Sequence, residues 1–213
     1  MPGFLLSRKA FEDDAIGGLG SVKKLVPSPV RLWAKDILNA RRVRRNPRRI
    51  ALVSEILPAY AACGGRILWI GCRRYTKDYG RLLEKCGGEC WTIDIELKHA
   101  KWGEKGRHLT GDLLSIDQLV AAGSFDSVLC NGVFGFGVDS RSAQLGALEA
   151  IKKILKPGGR LLLGWNTERV EDPLSLDFVQ EAFVRDALTE HGARWAIPEA
   201  GYVYDFLRLR DQS

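Results

Sequence analysis

The residues of this chain that are best suited to chemistry stand at the ends of short apolar runs. Gly71 ends the run that begins at Arg66, and Asp94 ends the run that begins at Cys90. A glycine at a strand end lets a ligand approach the backbone, because it carries no side chain. An acid 23 residues later can accept hydrogen bonds from both hydroxyls of a ribose. The pair therefore indicates a nucleoside-binding sheet edge, with a solvated strand-end acid as the competing interpretation.

The elements that must position these residues alternate along the chain. Short apolar runs predict strands, and apolar residues spaced three and four apart predict helices. Five strands are predicted, at residues 66–71, 90–94, 108–110, 127–131 and 160–165. Helices are predicted between them, at residues 78–85, 115–121 and 142–155. This alternation is typical of an α/β fold with a mostly parallel, doubly wound sheet.

The C-terminal part follows a different pattern. A helix is predicted over residues 176–191, and two further strands over residues 193–197 and 202–209. Because so few residues join these two strands, they must pair antiparallel. The prediction is therefore a seven-stranded, mostly parallel sheet that ends in an antiparallel hairpin.

One string of residues ends a predicted helix and starts the fifth strand: Lys156-Pro157-Gly158-Gly159-Arg160. Together with the order and spacing of the other strand ends, this string resembles the class I S-adenosylmethionine-dependent methyltransferases. The resemblance covers residues 60–213. It implies the α/β fold of that family, S-adenosylmethionine as cofactor, and methyl transfer to a small-molecule, lipid-linked or glycan-linked acceptor.

The resemblance divides the candidate site residues into a cofactor-binding set and a catalytic set. The first set takes the methionine end, the ribose and the adenine in turn: Gly71 with Arg73 or Tyr75, then Asp94, then Asp112 with Leu113. Glu96 is a nearby alternative for the ribose. The second set lies where the methyl group meets the acceptor: Asn131 and Phe134.

The chain departs from the family pattern at two loops. Residues 72–76 replace the glycine-rich turn that is expected after Gly71. Two interpretations stay open: a modified loop that still binds the cofactor, or a methyltransferase-fold binding module that has lost it. The loop after Asn131 lacks the Asn/Asp-Pro-Pro-aromatic motif of base-directed amino methylases, which disfavours methylation of nucleic-acid bases.

Basic residues are concentrated at the start of the chain. Residues 1–50 contain 12 Lys and Arg against 4 Asp and Glu, whereas the remainder contains 20 against 22. We therefore expect a basic, partly helical extension at residues 1–59, with a helix beginning at Val30, before a methyltransferase-like domain at residues 60–213. The extension has three interpretations: a solvated helix, a helix on an anionic membrane surface, or an arm that recruits RNA. Nucleic acid is the least favoured partner, because the domain is acidic.

Several classes of protein and site are disfavoured. No apolar run approaches the ~20 residues of a membrane span, and the first residues do not suit a signal peptide. We expect a cytoplasmic protein, with peripheral membrane contact as an alternative. Five scattered cysteines without a CxxC pair predict reduced thiols and no metal site, with Cys72 and Cys130 buried. His99 is expected at the surface, and no general base is assigned, because positioning supplies much of the rate of methyl transfer.

Overall fold

The structure, a computed structural model, describes residues 46–211. The described residues all belong to one compact unit. The predicted helix from Val30 lies outside the described residues. The domain boundary between residues 59 and 60 stays a prediction, and a run of helices from Pro47 to Cys63 crosses it.

Eight strands form one sheet in the described part of the chain. In chain order they are β1 (Arg66–Ile70), β2 (Glu89–Asp94), β3 (His108–Thr110), β4 (Phe125–Asn131), β5 (Leu155–Asn166), β6 (Phe183–Arg185), β7 (Arg194–Ile197) and β8 (Tyr202–Leu209). They lie in the order β3-β2-β1-β4-β5-β8-β6, and β7 also pairs with β8. The first five strands pair in parallel, and β8 pairs antiparallel with β5, β6 and β7. The predicted mostly parallel sheet with antiparallel C-terminal strands is confirmed.

The strand order reverses between β1 and β4. From β1 the chain builds outward to β2 and β3, and then returns to add β4 and β5 on the other side. Open α/β sheets bind ligands at the carboxyl ends of their strands, beside such a reversal. Ile70 lies opposite Cys130 across the two strands, so Gly71 and Asn131 follow at the same place.

The sequence predicts seven strands, whereas the sheet has eight, because the helix predicted over residues 176–191 is wrong. A short helix ends at Ala182, and Phe183 begins β6. Phe183 lies opposite Leu209 of β8 and is 3% exposed. Pairing with β8 satisfies the backbone groups of this segment and buries its apolar side chain, so tertiary packing overrides the helical pattern. The strands β6 and β7 share one edge of β8.

Helices cover both faces of the sheet. One face carries α1 (Pro47–Ala51), a π-helical stretch (Leu52–Ile56), α2 (Leu57–Cys63) and α3 (Tyr79–Leu83). The other carries α4 (Arg141–Ile154) and α5 (Asp177–Ala182). Alternate residues of β1 serve the two cores, with Leu68 in one and Trp69 in the other. The sheet is therefore doubly wound, as predicted. None of the helices within residues 46–211 has the length and apolarity that a membrane span requires.

The start of α1 is set by local sequence. Asn46 caps the helix by accepting a hydrogen bond from the Arg48 backbone N–H at 3.1 Å, and Pro47 takes the first helical position. The guanidinium of Arg48 lies over the ring of Tyr202, the first residue of β8. Since Tyr202 pairs with the last residue of β5, this contact lies at the carboxyl edge of the sheet. The helical run ends at Gly64, which has φ +66°.

Candidate functional site

The turn after β1 is open towards solvent. Gly71 has φ +86°, a conformation that favours glycine, and its N–H donates to the carbonyl of Ile93 at 2.8 Å. A Cβ built on Gly71 would have no heavy atom within 4 Å. The turn therefore requires glycine for its backbone conformation, and it leaves space through which a ligand can approach the main chain.

Asp94, the last residue of β2, is buried and surrounded by hydrogen-bond donors. Its Oδ2 accepts from the backbone N–H of Cys72 and from Nη1 of Arg73, both at 2.7 Å. Its Oδ1 accepts from the backbone N–H of Glu96 at 2.9 Å and lies 3.0 Å from Nδ1 of His99. Burial opposes ionisation, but these donors together outweigh it and lower the pKa of Asp94. The carboxylate is therefore held ionised at neutral pH.

Arg73 binds the predicted ribose acid in this structure. Its Nη1 lies 2.7 Å from three acceptors: Oδ2 of Asp94, the carbonyl of Cys72 and Nδ1 of His99. The Nδ1 atom of His99 can accept from Arg73 or donate to Asp94, but it cannot do both in one tautomer. The sequence assigned Arg73 to the methionine end of the cofactor, and that role stays a prediction.

The structure corrects the expected position of His99. His99 is buried, with 9% of its surface exposed, and its ring stacks on Trp102 with centroids 5.1 Å apart. The signal available in the sequence was its spacing, five residues after Asp94 on a tight 3-10 turn. Cys72 and Cys130 are both fully buried, as predicted.

Of the two predicted adenine-binding residues after β3, Asp112 is exposed to solvent and Leu113 lies in the core. Asp112 is exposed, and its Oδ1 accepts from the backbone N–H of Leu114 at 3.0 Å. Leu113 is 6% exposed and packs in the core, whereas Leu114 is 39% exposed. Ile95, directly after Asp94 on the neighbouring strand, is 60% exposed. Two exposed apolar side chains thus lie at this edge beside the two acids.

Asn131 is fixed by a contact from the C-terminal strands. Its Oδ1 accepts from the hydroxyl of Tyr202 at 2.8 Å. Burial raises the pKa of Tyr202, so the hydroxyl stays protonated and donates. A Cβ on Gly164, the residue opposite Asn131 on β5, would lie 2.3 Å from that Oδ1. The absence of a side chain at Gly164 therefore leaves the room that this hydrogen bond occupies.

The two phenylalanines of the loop after Asn131 differ in position. Phe134 is fully buried in the core that α4 covers, and its role as a wall of the site stays a prediction. Phe136 is only partly buried, and two guanidinium groups lie over its ring. Cζ of Arg169 is 4.6 Å from the ring centroid, and Cζ of Arg48 is 5.8 Å from it.

Arginines and tyrosines continue this arrangement towards β1. Cζ of Arg48 lies 4.7 Å from the ring centroid of Tyr202. Cζ of Arg49 lies 3.8 Å from the ring centroid of Tyr75, and its Nη1 donates to the hydroxyl of Tyr79. Sequence reasoning missed these arginines and Tyr202, because they come from segments more than a hundred residues apart. Tyr75 is 42% exposed, and its predicted contact with the cofactor stays a prediction.

Neither a metal cluster nor a deep cleft accompanies this edge in the described part of the chain. Within residues 46–211 no group of three or more His, Cys, Asp or Glu side chains could hold a metal ion, and the expected absence of a metal stays a prediction. A shallow depression of about 560 Å³ is lined by residues such as Arg66, Asp126 and Lys156. It lies at the amino ends of the strands, the edge opposite to the one at which open α/β sheets bind ligands.

A known family matches the part of the chain that carries most of the candidate residues. The family is described as a methyltransferase domain, and it matches residues 69–163, from β1 into β5. The match spans the carboxyl edge of the sheet, and the fold is that of the class I S-adenosylmethionine-dependent methyltransferases. No curated protein matches the chain.

Solved structures of methyltransferases share the fold. The N-methyltransferase NodS from Bradyrhizobium japonicum WM9, in complex with S-adenosylhomocysteine, is 18% identical with a TM-score of 0.58, over 81% of this chain and 91% of NodS. A TehB-like methyltransferase from Corynebacterium glutamicum is 18% identical with a TM-score of 0.53, over 83% of this chain and all of that one. The 1,6-didemethyltoxoflavin-N1-methyltransferase of Burkholderia thailandensis is 16% identical with a TM-score of 0.50, over 87% of this chain and 92% of that one. At such identities the likeness shows the fold alone.

Proposed function

We propose that the protein transfers a methyl group from S-adenosylmethionine to a small-molecule or lipid- or glycan-linked acceptor. The observation that carries the proposal is the pairing of the open turn at Gly71 with the ionised carboxylate of Asp94. Both lie at the carboxyl edge, where the strand order reverses. The family match, which spans this edge from β1 into β5, supports the same reaction.

The residues present fit the cofactor in charge, shape and polarity. The bare backbone at Gly71 admits the amino-acid end, and the Asp94 carboxylate suits two ribose hydroxyls. The exposed side chains of Ile95 and Leu114 offer apolar surface to a flat purine, and the Asp112 carboxylate suits its amino group. Leu113, which sequence reasoning placed on the adenine, would act from the core by supporting this segment.

The acceptor would meet the cofactor beside Asn131. When bound, S-adenosylmethionine supplies an electrophilic methyl group on a positively charged sulfur. Tyr202 donates to Oδ1 of Asn131 and so fixes the side-chain amide, whose N–H groups can then orient the acceptor. Tyr202 does not serve as a base at neutral pH, because burial raises its pKa. Positioning at this point is therefore the main contribution that these two residues make.

Structural neighbours support a small acceptor without identifying it. The Burkholderia thailandensis enzyme was crystallised with bound 1,6-didemethyltoxoflavin and S-adenosylhomocysteine, and NodS with S-adenosylhomocysteine. Both are N-methyltransferases. A soluble acceptor with a nucleophilic nitrogen is thus a sensible first class to screen.

The test is a calorimetric titration of ligand-free protein with S-adenosylmethionine and S-adenosylhomocysteine. Asp94→Asn keeps the size of the side chain and removes its charge, and we expect it to weaken binding by about a hundredfold. Glu149→Gln is the matched control, because that acid is exposed on α4 and is not a candidate site residue. Equal weakening in both variants would contradict the assigned role of Asp94.

One observation favours a second function, a methyltransferase-fold binding module without cofactor. Oδ2 of Asp94, which a ribose hydroxyl would need, already accepts from the Cys72 N–H and from Nη1 of Arg73. If this arrangement is permanent, the site is closed. Failure of ligand-free wild-type protein to bind either cofactor form would support the module. Co-purification of S-adenosylhomocysteine would exclude it.

The proposed location is the cytoplasm, with peripheral membrane contact through the basic N-terminal extension. The excess of 12 basic over 4 acidic residues in the first 50 supports this contact. Sedimentation of the full chain with vesicles tests it. We expect binding to vesicles that contain phosphatidylserine, loss of binding at high salt, and none to pure phosphatidylcholine. Binding that is insensitive to salt and lipid charge would contradict it.

A further inference from the structure

Three arginines converge on the acceptor side of the edge. Arg48 and Arg169 both lie over Phe136, so their Cζ atoms are at most about 10 Å apart. Arg49 lies next to Arg48 in the chain and packs on Tyr75. These three residues come from α1 and from the loop after β5, and only the fold brings them together.

The charges of these arginines are not matched by acids in the described part of the chain. Among residues 46–211 no ion pair involves Arg48, Arg49 or Arg169, whereas Arg73 and Arg194 each bind a carboxylate. Glu168 precedes Arg169, but its carboxylate lies against Gly201 instead. An unmatched group of cations is costly to hold together, because like charges repel. Retaining it beside a binding site points to an anion.

Most N–H donors of Arg48 and Arg169 are unused within residues 46–211. The guanidinium of Arg48 makes no hydrogen bond there, and that of Arg169 makes one, from Nη1 to the carbonyl of Gly135 at 3.4 Å. The remaining donors form the planar fork that matches carboxylate and phosphate oxygens. Arg48 stacks on Tyr202, the residue that donates to Asn131. An anion held here would therefore lie next to the residue that orients the acceptor, on the β4 and β8 side of the edge rather than beside Asp94.

We infer that the methyl acceptor carries an anionic group, a phosphate or a carboxylate, which Arg48 and Arg169 bind beside the Phe136 ring. Arg49, the neighbour of Arg48 in α1, adds positive charge. This inference rests on the proposed function for the identity of the ligand as an acceptor. The binding of an anion at the arginines stands independently of it.

The experiment measures binding of phenyl phosphate, benzoate and the neutral benzyl alcohol to the full chain by calorimetry. We expect both anions to bind and the alcohol not to bind. Arg169→Gln, which changes an exposed side chain, is expected to weaken phenyl phosphate about tenfold, and Arg48→Gln by a similar factor. Arg208→Gln is the matched control, because Arg208 is exposed at the amino edge of the sheet, opposite Arg160. Thermal melting of each variant checks that it folds.

Three results would overturn the inference. Equal weakening in Arg208→Gln would show that only net charge matters, and equal affinity for benzyl alcohol would show that the anionic group is not recognised. Displacement of phenyl phosphate by S-adenosylhomocysteine would assign the arginines to the carboxylate of the cofactor. If octyl phosphate binds more tightly than phenyl phosphate, the acceptor is lipid-linked; the reverse indicates a soluble aromatic acceptor, and either ranking supports an anionic one.

Failure of the proposed function gives a different result. If wild-type protein binds phenyl phosphate through Arg48 and Arg169 but binds neither form of the cofactor, the anion site stands and the methyltransferase function fails. If the cofactor binds and no anion does, the function stands and the inference on the acceptor fails.

Discussion

The two halves of the carboxyl edge differ in the sign of the charge that they carry and in how that charge is paired. In the half formed by β1 and β2, the single negative charge of Asp94 is buried and receives four hydrogen bonds or close contacts from protein groups. In the half formed by β4, β5 and β8, positive charges lie on aromatic rings without acidic partners among the described residues. The carboxylate of Asp94 has its donors within the described residues, whereas the described residues supply no acidic partner for Arg48 or Arg169. Under the proposed function, the first half would hold the cofactor and the second would select the acceptor.

The two halves also differ in why each requires a glycine. Gly71 has a positive φ and open space around the position of a Cβ. Gly164 has an ordinary strand conformation, but a Cβ would collide with Oδ1 of Asn131 and approach the hydroxyl of Tyr202 to 3.1 Å. The first glycine is needed for conformation and access, and the second for packing. Substitution of each by alanine separates the two demands.

The largest effect is expected from Gly71→Ala. The new methyl group would stand where the ligand approaches the backbone, so we expect cofactor affinity to fall by about a hundredfold in calorimetry. Unfolding in urea should show a smaller loss, about 1–2 kcal/mol, because alanine is strained at positive φ. Gly87→Ala is the matched control: Gly87 has the same φ of +86° and the same open surroundings, but it lies before β2. A control that loses cofactor affinity as well would refute the argument.

A loss of stability of about 2 kcal/mol is expected for Gly164→Ala, because an added methyl group in a packed core forces its neighbours to move. The residue that must move is Asn131, which then loses its bond from Tyr202. In the Asn131→Ala background the same substitution should cost less than half as much. A penalty that is unchanged in that background would show that the clash lies elsewhere. Both measurements are urea unfolding at neutral pH.

Much of the fold follows from sequence because its signals are local. Apolar runs, helix spacing and the Pro-Gly-Gly stop at residues 157–159 predicted the five parallel strands and the end of α4 near Ile154. The segment around Phe183 failed for the opposite reason. Its conformation depends on pairing with β8, more than twenty residues later, which no local pattern contains.

The site divides in the same way. Gly71 and Asp94 could be predicted, because strand ends of a parallel sheet meet at one edge. The partner of Arg73 could not be predicted, since the loop after β1 allows its side chain many directions. The group of Arg48, Arg169 and Tyr202 could not be predicted from sequence, because it depends on how α1, β5 and β8 pack together.

A smaller effect, opposite in direction to the usual loss, is expected for Arg73→Gln. Arg73 competes with a ribose hydroxyl for Oδ2 of Asp94, so its removal should raise cofactor affinity about threefold to tenfold. Stability should fall slightly, because Asp94 loses one donor. Lys77→Gln, an exposed cation on the same loop, controls for the change in net charge. If affinity instead falls by about tenfold, Arg73 contacts the methionine carboxylate, as the sequence predicted.

The smallest effect is expected in acid, where the stability that Asp94 contributes depends on pH and the stability that Tyr202 contributes does not. The pKa of Asp94 is lower in the folded protein than in the unfolded chain, because its donors outweigh burial. Its contribution to stability is then complete above the unfolded value of about 3.9 and is lost as the pH falls through the folded value. The difference in unfolding free energy between wild type and Asp94→Asn should be constant from pH 5 to pH 8 and shrink below pH 4. For Tyr202→Phe it should stay constant over the whole range, because burial raises the pKa of Tyr202 and its hydroxyl remains protonated throughout. If the difference in unfolding free energy for Tyr202→Phe also shrinks below pH 4, the two halves share one acid-sensitive set of interactions. The contrast between them would then be wrong.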